Sequence, residues 1–160
     1  MGPMSESARK IVEALRLEPL PREGGYFRQT WRDAAGSAIY FLLTKPEFSA
    51  LHRLRTDEIW HFYAGDPVEH VQLTASGAVC TRLGPEVLAG QVPQLRVPGG
   101  VWQGARLPIG WVSSQPPRGW ALLGCTLAPP WDESGFELGG REALLREFPA
   151  QAALIRALTR

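Results

Sequence analysis

Short runs of apolar residues, many of them alternating with polar ones, fill the middle of the chain. Nine runs have the length and pattern of β-strands: residues 26–32, 37–44, 49–54, 58–63, 68–74, 78–83, 94–97, 101–106 and 120–127. Glycines and prolines punctuate the gaps between them as turn residues. No gap carries a helical pattern long enough for the crossover of a parallel sheet, so the pattern predicts an all-β sandwich or barrel.

The two ends of the chain show helical periodicity instead. Ser5 can cap a first helix, which Pro19 and Pro21 are expected to stop. Its apolar stripe is Ala8, Ile11, Val12 and Leu15. Residues 141–148 and 151–158 also place apolar side chains at helical spacing, with Pro149 between them. We therefore expect short helices at both ends.

Size and composition favour one ordinary globular domain. The chain has 160 residues, of which 44% are hydrophobic and 21% charged, and such a chain can bury a substantial core without disulfides. We expect a single domain over residues 1–160. It comprises an N-terminal helix and turn (1–20), a β-barrel (24–130) and C-terminal helices (134–160).

The charge balance argues against polyanionic partners. Seventeen basic and sixteen acidic residues leave a net charge of +1, so neither nucleic acid nor a membrane is an expected partner. The first ten residues lack the apolar segment of a secretion signal, and the longest apolar run, residues 38–43, is too short to span a bilayer. A cytoplasmic location is expected.

Cys80 and Cys125 lack CxxC spacing and are predicted to be reduced core residues.

Histidines and carboxylates cluster between residues 52 and 70. This stretch holds His52, His61 and His70 together with Asp57, Glu58 and Glu69, which suggests acid/base or metal chemistry. On the strand that starts at Glu58, alternation places Glu58, Trp60 and Phe62 on one face and Ile59, His61 and Tyr63 on the other.

A carboxylate flanked by aromatic residues inside a barrel would lose solvation, which raises its pKa. Glu58 is therefore the most informative residue, although it would serve structure alone if it paired with an arginine of a neighbouring strand. His52 precedes it by six residues, across a segment that can turn, and is either a partner of Glu58 or a satisfied core histidine. Gln103 follows a Pro-Gly-Gly turn and either points inward as a recognition group or lies on the surface. After Gly24-Gly25, Arg28 could clamp a carboxylate or a phosphate.

Five segments together resemble the DUF985 group of cupins. They are residues 23–28 (EGGYFR), 51–53 (LHR), 57–63 (DEIWHFY), 97–103 (VPGGVWQ) and 123–126 (LGCT). The resemblance covers nearly the whole chain and implies a double-stranded β-helix, the cupin jelly roll, assembled as a homodimer through sheet contacts. It implies no particular reaction.

The resemblance also bears on metal binding. Cupins commonly hold a metal with three histidines and a glutamate from two motifs. Here His52 and Glu58 match the first motif, with one extra residue between them, whereas Ala50 and Gln103 stand in the places of the other two histidines. The implied set of His52, Glu58 and Gln103 would bind a divalent ion such as Zn, Ni, Fe or Mn only weakly, and no cofactor is obligatory.

Three functions follow from these residues. The first is an isomerase or epimerase acting on a small polar molecule, such as a sugar derivative. His52 or Glu58 would be the base, and Gln103 with Arg28 would hold substrate oxygens. The residues expected as pocket walls are Tyr26, Trp60 and Trp102, with Tyr63 a weaker candidate. The second is a non-catalytic module that binds a carbohydrate or a nucleobase-like ligand, and the third is a metal-dependent oxygenase.

Overall fold

Two antiparallel sheets form the body of the computed structural model, which describes residues 4–110 and 115–160. In spatial order the first sheet contains β1 (Glu18–Pro19), β2 (Tyr26–Arg32), β3 (Ser37–Thr44), β10 (Trp120–Leu127), β5 (Glu58–Gly65) and β8 (Gln94–Val97). The second contains β11 (Phe136–Leu138), β4 (Phe48–Leu54), β9 (Trp102–Arg106), β6 (Val68–Thr74) and β7 (Gly77–Leu83). Parts of two predicted segments, residues 1–3 and 111–114, lie outside the described residues.

The strand prediction is confirmed, and its bounds are close. All nine predicted strands are present, each with both ends within two residues of the expected position. Strands β1 and β11 were not predicted, because runs of two and three residues are too short to show alternation. Since β11 pairs with β4, the segment 134–160 begins with a strand of the second sheet before its helices.

The main core lies between the facing sheets. Phe41, Trp60 and Leu123 from the first sheet pack in one cluster with Val68 and Ala105 from the second. Full burial of a large apolar side chain contributes about 1.5–3 kcal/mol. This layer therefore supplies much of the energy that holds the sheets together.

A helix covers the outer face of the first sheet. Helix α1 (Glu6–Leu15) begins at Ser5, whose hydroxyl oxygen accepts a hydrogen bond from the backbone N–H of Ala8 at 3.2 Å, as predicted. It ends before the expected proline stop, because Arg16 adopts a left-handed conformation (φ 52°) that caps the last turn. The apolar side of the helix packs against Trp120 and its neighbours.

Two further helices cover the outer face of the second sheet. These are α2 (Arg141–Glu147) and α3 (Ala152–Ala157), which bury Ile155 and Leu158 against Val71 and its neighbours. Each sheet is therefore covered over part of its outer face as well. In the part of the chain that the structure describes, no helix has the length and apolar character needed to cross a bilayer.

The two cysteines differ in environment. Cys125 is buried between the sheets, as predicted, but Cys80 is exposed on the edge strand β7, so the expectation of a second core cysteine was wrong. An edge strand lacks a covering neighbour on one side, and its apolar run did not reveal this position.

Packing of the last helix against the second sheet predicts that Leu158→Ala strongly lowers the stability of the fold. Leu158 is fully buried, so its truncation removes apolar contacts and is expected to lower the free energy of unfolding by about 2–5 kcal/mol. Leu88→Ala is the matched control, since Leu88 is fully exposed and its truncation is expected to change stability by at most about 0.5 kcal/mol. Denaturant unfolding measures both variants. Equal, small effects would contradict the packing of this end of the chain.

Candidate functional site

A β-bulge in β4 turns two polar side chains toward the interior. Ser49 lies opposite Ala105 and His52 opposite Gln103, so three steps along β4 face two steps along β9. The extra residue breaks the usual alternation, which lets Ser49 and His52 share the inner face. Both side chains are buried.

The surroundings of His52 define its tautomer. Its Nδ1 lies 2.7 Å from the carbonyl oxygen of Ala50, and because a carbonyl only accepts, Nδ1 carries the proton in the neutral ring. Nε2 then presents a lone pair, 3.8 Å from the carboxylate of Glu23. The hydroxyl of Ser49 donates to the same Glu23 oxygen at 2.8 Å, and the ring of Phe136 stacks on the imidazole.

Glu58 is a buried carboxyl group without a cationic partner among the described residues. Its Oε2 accepts hydrogen bonds from Trp60 Nε1 at 3.0 Å and from Gln103 Nε2 at 2.8 Å. Burial raises the pKa of Glu58 to about 7, although the nearby His52 opposes this effect and the carboxylate of Glu23 adds to it. The predicted alternative, a pair with an arginine, is not found among residues 4–110 and 115–160. Glu58 therefore exchanges its proton near neutral pH.

Gln103 and His70 extend the hydrogen-bond network that begins at Glu58. The amide oxygen of Gln103 accepts from Trp60 Nε1 at 2.9 Å and from His70 Nε2 at 3.0 Å. Burial lowers the pKa of His70 to about 4, so at neutral pH the ring is neutral and carries its proton on Nε2. This donor fixes the amide with its NH₂ group toward Glu58.

The role of His70 is one that sequence reasoning missed. The sequence pattern groups His70 with His52 and His61 but gives it no role of its own. Its alternation with the apolar Val68 along the strand was the sequence signal that could have placed it on an inner face, where the structure buries both side chains.

A cavity of about 270 Å³ opens beside Glu58 and His52. Its walls are mostly apolar and include Leu20, Phe27, Ile39, Phe41, Leu54, Leu127, Trp131 and Phe136. The polar and titratable groups on the walls include Arg22, Glu23, Gln29, His52, Glu58 and Cys125. Burial raises the pKa of the Cys125 thiol well above its usual value, and the neighbouring Glu58 adds to this effect, so the thiol stays protonated.

Tyr26 and Arg28 do not line this cavity, so the prediction that their side chains face the pocket was wrong. On β2 the neighbouring side chains Phe27 and Gln29 face inward. Tyr26 instead packs beneath α1 on the outer face of the sheet, and the guanidinium of Arg28 lies over the ring of Tyr40, 5.5 Å from its centroid. Since a helix covers the outer face near Tyr26, this residue is aromatic like the inward-facing Phe27, and the pattern alone did not tell the two faces apart.

The other predicted wall residues also lie away from the cavity. Trp60 is part of the core and of the hydrogen-bond network, and Gln103 is buried behind Glu58. Trp102 packs under the C-terminal helices, with the guanidinium of Arg53 over its ring. Tyr63 is 52% exposed on the opposite face of its strand, as the alternation indicated. Homodimer formation through sheet contacts stays a prediction.

The predicted metal ligands do not fit a three-ligand site. The amide oxygen of Gln103 is directed toward Trp60 and His70, and so is committed to two hydrogen bonds. Within the described ranges, no group of three His, Cys, Asp or Glu side chains is arranged to hold a metal ion. Weak binding of a divalent ion by His52 and Glu58 stays a prediction.

Comparison with solved structures supports the same architecture. A crystal structure of a Shewanella oneidensis protein is 33% identical, with 96% of this chain and 97% of that chain covered and a TM-score of 0.84. A hypothetical protein from Leishmania major is 28% identical over 95% and 98% of the two chains, with a TM-score of 0.87. A cupin-2 domain from Rhodospirillum rubrum, 16% identical over 90% and 89% with a TM-score of 0.61, shares the fold. No curated protein matches this sequence.

A family model places the chain more specifically. The model described as "Cupin superfamily (DUF985)" matches residues 9–139, a range that includes Glu23, His52 and Glu58. The match confirms the resemblance found in the sequence, and the structural neighbours confirm the jelly-roll prediction. The chain therefore belongs to the DUF985 family of the cupin superfamily.

Proposed function

We propose that the cavity between the sheets binds a small molecule and that Glu58 and His52 transfer a proton on it, in the manner of an isomerase or epimerase. One observation carries the proposal. A buried carboxyl group whose pKa is about 7 lines an apolar cavity that a histidine with a free ring nitrogen also lines. A pKa near the working pH is what an efficient general acid or base needs.

The two groups are complementary in protonation. Because the pKa of Glu58 is about 7, a large fraction of this group holds its proton at neutral pH and can donate it, while Nε2 of His52 is the ring nitrogen not used for the Ala50 carbonyl and can accept one. The carboxyl group of Glu23 lies 3.8 Å from the same Nε2. Isomerisation by proton transfer requires one acid and one base, and this cavity offers both.

The cavity also narrows the class of ligand. Its volume of about 270 Å³ lies just below the usual range of ligand pockets, about 300–1,000 Å³. Its walls are mostly apolar, which favours a compact molecule with an apolar body and a polar reacting group over an unsubstituted sugar. A binding module without chemistry would use the same cavity, and isotope exchange distinguishes the two functions.

Ionisation of Glu58 predicts a specific pH dependence of stability. Its pKa is about 7 in the folded chain and close to the ordinary 4.5 when unfolded, so between these values the folded chain binds more protons and stability falls as pH rises. Glu58→Gln removes this loss. Relative to the parent protein, the variant should gain up to about 3 kcal/mol between pH 4.5 and pH 8. Denaturant unfolding across this range measures the difference, and a constant difference would contradict the raised pKa.

The network behind Glu58 predicts that His70 acts as a positioning residue. His70→Phe removes the donor that fixes the amide of Gln103, so the hydrogen bond to Glu58 weakens and the pKa of Glu58 should rise further. Carbon-13 NMR of the glutamate side chains, with Glu58→Gln for assignment, measures this pKa. His61→Phe is the matched control, because His61 lies on the outer face and bonds to Thr126. Equal pKa values in both variants would exclude the positioning role.

Proton transfer predicts deuterium uptake by a bound ligand. A panel of small carbonyl compounds, screened for binding and incubated with the protein in D₂O, should include one that gains deuterium, as detected by mass spectrometry. Glu58→Gln and His52→Ala should each slow the uptake about 100-fold or more, measured on protein that circular dichroism shows to be folded at the assay temperature. Glu69→Gln, outside the cavity, should not slow it. Binding without uptake would assign the chain to the non-catalytic modules.

A further inference from the structure

A second open space of about 240 Å³ lies directly beside the cavity. Arg32, at the end of β2, and Arg55, just after β4, both line it. Leu54, Leu127 and Trp131 line this space and the main cavity alike. We refer to the space bordered by Arg32 and Arg55 as the arginine groove.

Both guanidinium groups keep hydrogen-bonding capacity for a ligand. A guanidinium has five N–H donors. Among the contacts of the described residues, Arg32 donates to the carbonyl oxygen of Trp131, and Arg55 donates to the hydroxyl of Ser134 at 3.0 Å. The remaining donors can serve a carboxylate or a phosphate, which guanidinium groups bind in a bidentate manner.

The groove carries a net positive charge. Its carboxylate, Asp132, accepts hydrogen bonds from the backbone N–H and the hydroxyl of Ser134 at 3.0 and 3.1 Å. Its nearest contact with Arg55 is longer, at 3.7 Å. Within residues 4–110 and 115–160, no carboxylate is within ion-pair distance of Arg32. Two guanidinium groups therefore share the groove with one carboxylate, whose charge offsets only one of the two positive charges.

We propose that the arginine groove binds the anionic group, a carboxylate or a phosphate, of the same ligand whose apolar part occupies the main cavity. The shared apolar border of Leu54, Leu127 and Trp131 places the anionic group next to the apolar part. The inference rests on the proposed function only for occupancy of the cavity. It narrows the substrate class to small amphipathic anions.

The test compares matched probes that separate the two spaces. 1-Octanol offers the apolar part alone, acetate the anionic part alone, and octanoate and octyl phosphate both parts. Titration calorimetry should show octanoate or octyl phosphate binding at least tenfold more tightly than 1-octanol, with no detectable binding of acetate. The better of the two anions then identifies the group that the groove prefers.

Variants assign the preference to the two arginines. Arg32→Gln and Arg55→Gln should each weaken binding of the preferred anion at least fivefold and leave 1-octanol unchanged. Arg53→Gln is the matched control, because the guanidinium of Arg53 lies over Trp102 and pairs with Glu137. An equal loss in this control would reveal a general charge effect and would overturn the inference.

The outcomes separate this inference from the proposed function. Equal affinity for 1-octanol and both anions would overturn the role of the arginine groove and leave the cavity as a binding site. Absence of binding by all amphipathic probes would overturn apolar occupancy of the cavity, and the groove inference with it. Failure of the deuterium experiment alone would remove the chemistry while leaving the ligand class intact.

Discussion

The burial of one carboxyl group between the sheets is the constraint on which the site depends. An ionised carboxylate in an apolar interior is unfavourable unless it is paired or hydrogen-bonded. Here the partners of Glu58 are two neutral donors, from Trp60 and Gln103, rather than a cation. Neutral donors offset only part of the cost of desolvating the carboxylate, so the pKa of Glu58 is raised to about 7. An arginine in their place would have kept the group ionised and removed its capacity to act as an acid.

The neighbouring strands set the orientation of the groups around Glu58. Gln103 and His52 sit opposite each other on β9 and β4, and the bulge before His52 brings both into the interior. Strand β11 then supplies Phe136, which stacks on the imidazole. His70 completes the network from β6 by fixing the amide of Gln103. Four strands of one sheet therefore determine the orientation of groups that act on a carboxyl group of the other.

Much of this was accessible from the sequence, for physical reasons that also explain the failures. Strands with one polar face alternate clearly, which revealed nine strands and the inward direction of Glu58. On β2 the alternation could not distinguish Phe27 from Tyr26, because a helix covers the far side of the sheet and both residues are apolar. Trp102 was misplaced for the same reason. The network through His70 depends on register between distant strands, which no local pattern contains.

The charges around the main cavity and the arginine groove favour one orientation of a bound anion. The carboxylate of Glu23 lies in the main cavity close to His52, and the nearby Arg22 is paired with Glu133. An anionic group placed in the cavity would therefore be repelled by Glu23, and would also oppose ionisation of Glu58. The same group in the groove would meet Arg32 and Arg55. An amphipathic anion then has one favourable orientation, with its anionic end outside the cavity and its apolar body beside the acid and the base. In the proposed function, electrostatics of this kind would orient the reacting atoms before any proton moves.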